Sequence, residues 1–179
     1  NTTEHILPKE VYPEYAVNVF NLIPACSECN SFKREDIFDH NGKIFTINFY
    51  TDTLPDIRYL FARITSIEGG VQFEYYLENR NGVNVNLYAL LERHFQRFHL
   101  IDRFYDKAVQ ELPNIINYFK CENITCEVDY DNAASKLIRK TDEDAKAYGR
   151  NHWRIVMNYD AATSPVFKSY IMTQLNLTP

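Results

Sequence analysis

Apolar residues recur along this chain with two different periods, and the change between them marks its elements. In "IRYLFARITSI" and "VQFEYYLE" β-branched and aromatic residues are dense, and Glu68-Gly69-Gly70 stands between the two runs. Glycine permits positive φ, so the pair predicts a hairpin. "KIFTINFY", residues 43–50, alternates in the same way and predicts another strand. After a loop at "RNGVN" the period lengthens. Leu87, Leu90, Leu91, Phe95 and Phe98, then Ile101, Phe104, Tyr105, Ala108 and Leu112, recur at helical spacing. They form an apolar stripe that faces a core. The run predicts either a break near residues 99–101 or one extended helix, with Pro113 ending or kinking it. "CENITCEVDYDN" reads as a loop. "NAASKLIRKTDEDAKAYG" reads as a helix stopped by Gly149, and "NHWRIVMN" as a short helix. "SPVFKSYIMTQL" offers Ser164 as N-cap and Pro165 at the first helical position. The class is α+β, mostly helical after residue 85.

Composition adds bounds. With 179 residues, 45% hydrophobic and 15% aromatic, the chain can bury a core and lacks the profile of a disordered segment. A net charge of -5 repels a polyanion at long range. A nucleic-acid role then requires a local basic patch, a metal, or a partner that holds the substrate. Four cysteines, spaced as Cys26/Cys29 and Cys121/Cys126, are too few for a disulfide scaffold and suggest thiols or metal ligands in a reducing compartment. No signal peptide or apolar run long enough for a bilayer is visible, and a cytoplasmic location with no membrane association is expected. The chain opens on Asn rather than Met, so upstream residues are expected. Five glycines and no phosphate-binding loop argue against nucleotide binding by this chain.

The chemistry concentrates in "TEHILPKEVYPEYAVNVFNLIPACSECNSFKRED". Histidine at neutral pH can take a proton from water. The carboxylate of Glu4 is a hard oxygen ligand suited to Mg²⁺. Adjacent residues on a strand point opposite ways, so Glu4 and His5 reach one metal-water site only if the strand bends or ends there. Asn21 and Asn30 are neutral amides that can ligate a hard metal or pin a loop, and Asn30 also suits a helix start. Cys26 and Cys29 have zinc-ligand spacing but supply only half a site; otherwise they are buried small apolar residues. Cys121 and Cys126 with their looser spacing, or a pair upstream, would complete it. Lys33 and Arg34 form a small basic point, solvent-facing or turned to a phosphate at a helix start.

"EHILP … NLIPACSECNSFK" closely resembles the HNH endonucleases, the ββα-metal nucleases, whose pattern runs acid-His-x-x-Pro, then Asn-Leu-x-x-x-Cys-x-x-Cys-Asn-x-x-Lys. The match covers residues 4–33. The resemblance implies an N-terminal ββα-metal module over residues 1–42 and an accessory α+β to helical body over 43–179, packed with it as one unit. It implies His5 as general base, Asn21 as the residue that holds the His5 loop, and Lys33 as the basic residue near the phosphate. Glu4 and Asn30 would ligate Mg²⁺ or Mn²⁺; Asn30 stands where many members carry His. Cys26 and Cys29 would belong to a structural Zn²⁺, incomplete here because no earlier Cys-x-x-Cys is present. The expected substrate is DNA, double-stranded, and the resemblance implies products carrying 5′-phosphate and 3′-hydroxyl ends. The body more loosely resembles HNH nucleases of bacterial defence loci, among them Septu-type anti-phage systems, in which an ATPase partner works beside the nuclease.

Elsewhere the signals are ordinary. His94 and His99, five apart, lie about 140° apart around a helix and suit packing better than metal binding. His40 reads as a turn histidine or a late active-site residue, and His152-Trp153 as core or partner surface. Arg93, Arg97, Arg103, Lys107, Lys136, Arg139 and Lys140 are candidates for a DNA-facing patch, against a solvated helix face. The rival to the nuclease is a zinc-knuckle-like subunit that binds nucleic acid or a partner without cutting.

Overall fold

Strand β1 (Thr2–His5) pairs antiparallel with β2 (Leu22–Ala25), with Glu4 opposite Ile23 and His5 opposite Leu22. These pairings come from a computed structural model that describes residues 2–177. Pro24 has no N–H for a ladder, which a two-stranded sheet tolerates because each strand is an edge. The connection between the strands contains two single-turn 3-10 helices, Pro13–Tyr15 and Val19–Asn21. Helix α1 (Ser27–Lys33) follows β2 directly and packs against β1. Its N-cap is Cys26, in extended conformation, whose sulfur accepts the Cys29 N–H at 3.4 Å. Asn30 therefore lies inside the helix and not at its start, and Lys33 lies at its end.

The strand expected over 43–50 does not form; only an isolated bridge joins Phe38 and Ile44. Side chains take the backbone donors that a ladder would use. Asp39 Oδ1 accepts from the N–H groups of Asn41 and Lys43, His94 Nδ1 from Ile47, and Asp52 Oδ2 from Asn48. The alternation still serves burial, since Phe45 and Ile47 are almost wholly enclosed. Helix α2 (Val85–Arg97) starts at Asn84, whose Oδ1 accepts from Asn86 and Leu87, and it buries Leu91 and Phe95. The chain up to Pro55 and Gly82–Leu100 together make one compact unit.

The other unit comprises Asp56–Asn81 and the chain from Ile101 on. Here β3 (Leu60–Ile67) and β4 (Gly70–Leu77) form the expected hairpin, with Gly69 at φ 78 in its turn. Helix α3 (Leu100–Cys121) begins after His99, which has φ 49, so the long apolar stripe breaks where it was expected to. Pro113 does not end α3. Proline removes the bond to the carbonyl four residues back, and that residue, Val109, is exposed, so water can satisfy the carbonyl. The loop expected over "CENITCEVDYDN" shrinks to residues 122–126, because α4 (Glu127–Tyr148) starts within it. Gly149, at φ 84, stops α4. Helix α5 (Trp153–Thr163) and α6 (Pro165–Gln174) follow, and Ser164 Oγ caps α6 by accepting the Phe167 N–H at 3.2 Å.

This unit is a helical layer on a hairpin. α5 packs on β3 and α4, and α6 packs on both strands. Phe119 stacks on Tyr130 at 4.9 Å and meets Phe167 edge-on. Arg58 Nη2 lies 2.7 Å from both carboxylate oxygens of Asp160, whose Oδ2 also accepts the Ala62 N–H. The whole is α+β, with strands and a helix first and a helical body after.

Candidate functional site

The first strand ends at His5, and the ring leaves the sheet toward the connection. His5 Nε2 sits 3.0 Å from the Ala16 carbonyl oxygen. A carbonyl only accepts, so Nε2 donates here, and Nδ1 is the ring nitrogen outside this contact. Asn21 fastens both sides of this contact. Its Oδ1 accepts the Leu7 N–H at 2.7 Å, and its Nδ2 donates to the carbonyls of Leu7 at 3.0 Å and Tyr15 at 3.1 Å. Its main-chain oxygen accepts the Ile6 N–H at 2.9 Å. Asn21 is 5% exposed, so these bonds lie away from water. They tie the two residues after His5 to the residue before Ala16.

Glu4 precedes His5 on β1 and engages α1. Its Oε1 meets Lys33 Nζ at 3.3 Å. Lys33 is 1% exposed and its ammonium also lies 3.5 Å from the Arg34 carbonyl. It is thus neither solvent-facing nor at a helix start; α1 lays it against β1. Asn30 precedes Lys33 by three residues and so shares its helix face, one turn nearer the N-terminus. The half-buried Asn30 side chain makes no hydrogen bond among the described residues.

This donor set suits a hard divalent cation. Mg²⁺ binds through one or two carboxylates, with water and substrate phosphate filling the remaining positions. Glu4 offers a carboxylate and Asn30 an amide oxygen with no competing partner. Among the described residues no group of three or more His, Cys, Asp or Glu gathers for a metal ion. Cys26 and Cys29 lie together at the start of α1, and among the described residues no cysteine forms a disulfide.

Compared with protein-family models, curated proteins and solved structures, the chain matches none. Its site is therefore read from its own residues.

A cleft of about 800 Å³ in this unit adjoins α1, and His5 is not among its lining residues. Its walls include Phe32, Arg34, Phe38, His40, Arg93 and Arg97. His40 lies in the turn after Asp39 and contacts Asn41 Nδ2 at 3.0 Å. His94 packs among Phe49, Phe95 and Phe98; burial pushes its pKa down to about 4, against a smaller upward pull from the Phe45 carbonyl. It is a neutral packing residue. In the second unit His152 caps α5 by accepting the Arg154 N–H, and the Trp153 ring lies under the cations of Lys107 and Arg154. Lys136 pairs with Glu122. Among the described residues no helix is long and apolar enough to cross a membrane.

Two partners in the site were not foreseen from sequence. The Ala16 carbonyl carries no residue-type signal at all. The Glu4–Lys33 pair did carry one: Asn30 and Lys33 are three apart on a helix, so a helix that turns Asn30 to the strand turns Lys33 there too.

Proposed function

We propose that the chain is a metal-dependent endonuclease of the HNH kind, which hydrolyses phosphodiester bonds in DNA. The observation that carries this reading is His5, held through Nε2 on the Ala16 carbonyl with Nδ1 outside that contact, inside a loop that Asn21 fastens. A general base needs that combination of one nitrogen fixed and the other available. His5 Nδ1 takes the proton of a water as its oxygen bonds to phosphorus and the P–O3′ bond breaks; the departing O3′ takes a proton from a second water, which leaves a 5′-phosphate and a 3′-hydroxyl. A Mg²⁺ or Mn²⁺ ion on Glu4 and Asn30 would stabilise charge on the phosphate and the leaving oxygen. Asn21 keeps the His5 loop from rotating. Lys33 compensates and orients Glu4.

The body's looser likeness to defence nucleases extends the proposal to a bacterial anti-phage role with an ATPase partner. A partner that presents the nucleic acid also answers the chain's net charge of -5. The test is nicking of supercoiled plasmid at low salt with Mg²⁺ or Mn²⁺, with EDTA and His5→Ala beside the wild type. Metal-dependent nicking that His5→Ala reduces on the order of 10²–10⁴-fold supports the base. Nicking that survives His5→Ala removes the assignment. No nicking by the chain, alone or with the protein that co-purifies with it, removes the enzyme and leaves a binding subunit.

A further inference from the structure

The cleft beside α1 has a composition that the His5 site does not explain. Two carboxylates line it, and both are already engaged. Asp36 pairs with Arg97, and Asp39 Oδ1 accepts the Asn41 and Lys43 N–H groups of its own turn. Its cations are less committed. Arg34 is exposed, and its guanidinium has no hydrogen bond or ion pair among the described residues. Arg93 is anchored by Nε on the Ile44 carbonyl at 2.8 Å and, secondary to the Lys43 N–H, its charge helps hold the Asp39 carboxyl below its usual range, but its terminal nitrogens make no hydrogen bond among the described residues. Phe38, 52% exposed, presents an aromatic ring to the same space. The cleft is thus locally cationic and aromatic on an acidic chain.

Guanidinium groups with no hydrogen-bonded carboxylate, beside an exposed ring, form a surface suited to single-stranded nucleic acid, with phosphates on the cations and a base on the ring. A duplex keeps its bases stacked inside and cannot use the ring. The volume of about 800 Å³ lies within the range of ligand-binding clefts, roughly 300–1,000 Å³. The wall is also continuous with the proposed site: Arg97 Nη2 donates to the Lys33 carbonyl at 3.0 Å, and the Lys33 ammonium meets Glu4.

We propose that this cleft binds a single-stranded nucleic-acid segment, with Arg34 and Arg93 on its phosphates and Phe38 under a base. Its role in feeding a strand to Glu4 and His5 rests on the nuclease reading, but its binding does not. The test is fluorescence anisotropy of a labelled oligodeoxythymidine of about 16 nucleotides, the upper end of site sizes for such surfaces, in EDTA so that nothing is cut. Arg34→Glu and Phe38→Ala should each weaken binding about tenfold. Lys120→Glu, the same charge reversal in the exposed last turn of α3, should leave it unchanged. Arg34→Ala should lower the slope of log affinity against log salt by about 0.7. Oligouridine competition separates RNA from DNA preference within the same chemistry. Circular dichroism confirms that each variant folds. Unchanged binding in both cleft variants overturns the proposal. So does an equal loss in Lys120→Glu, or displacement by duplex as effective as by single strand. Failure here with His5-dependent nicking intact leaves the nuclease standing; cleft-dependent binding without any nicking removes the nuclease and leaves the cleft.

Discussion

Lys33 brings its ammonium nitrogen to 3.3 Å from Glu4 Oε1 while only 1% exposed itself. The carboxylate proposed to hold a metal is therefore also the only counter-charge of a buried lysine among the described residues. Glu4 has a structural duty that does not depend on catalysis. Glu4→Ala strands the Lys33 charge, and breaking one side of a buried pair costs about 3–5 kcal/mol. Urea unfolding should show that loss in Glu4→Ala and a smaller one when Lys33→Met is added. A loss below about 1 kcal/mol in the single variant would mean that water reaches Lys33 and the pair is a surface one.

Asn21 gives a different signature. Asn21→Ala leaves the Leu7 N–H and the carbonyls of Leu7 and Tyr15 without their partner in a buried turn. Each orphaned group costs about 1–3 kcal/mol where it stays dry. The expected result is a lower urea midpoint together with a fall in nicking, because the His5 loop loses its fastening. Full activity in a destabilised variant would show that the Ala16 carbonyl alone orients His5.

His94 predicts how the fold responds to acid. Its folded pKa lies near 4, below the ordinary 6.5, because burial disfavours the charged ring. Between those values the unfolded chain binds the proton and the folded chain does not, so stability falls as pH falls through that window. The slope contributed is at most about 1.4 kcal/mol per pH unit. Urea unfolding at a series of pH values should show a shallower dependence between about pH 4 and 6.5 in His94→Gln, whose amide can still accept from Ile47. An identical dependence in both proteins would place the acid sensitivity elsewhere.

Asp160 anchors the second unit. It receives Arg58 at two oxygens and the Ala62 N–H, with side-chain exposures of 13% for Asp160 and 20% for Arg58. Burial outweighs Arg58 and holds the carboxyl above its usual range. The pair is partly wet, so Asp160→Ala should cost about 2–3 kcal/mol, less than the roughly 3–5 of a fully buried pair. Thermal unfolding measures it. A neutral result would make Arg58 held by its stacking on Phe61 and Tyr159 alone.

The readable parts of this chain were those governed by local chemistry. Ser164 and Pro165 announced a helix start, Gly149 a stop, and Gly69-Gly70 a turn, because capping and positive φ are decided within a few residues. The unreadable parts depended on partners far along the chain. "KIFTINFY" has the alternation of a strand, yet its donors go to Asp39, Asp52 and a histidine 47 residues away in sequence. Asn30 looked like a cap because asparagine prefers that position; a cysteine sulfur four residues earlier took it instead. Lys33 looked exposed because lysine nearly always is, and only the pairing of α1 with β1 encloses it. Within the motif, the side chains of His5, Glu4 and Asn30 were identifiable as chemistry, but what holds each of them was not.

The first unit is discontinuous: its α2 follows the β3–β4 hairpin, which belongs to the second. This sets an order of assembly during synthesis. The segment with His5, Asn21 and Asn30 leaves the ribosome early, but Arg97, which holds the Lys33 carbonyl, and His94, which holds Ile47, arrive only after the hairpin has been made. At about 5–20 residues per second the wait is on the order of seconds. Until then the motif lacks part of its framework, so a nascent or prematurely terminated chain carries every motif residue without the finished site.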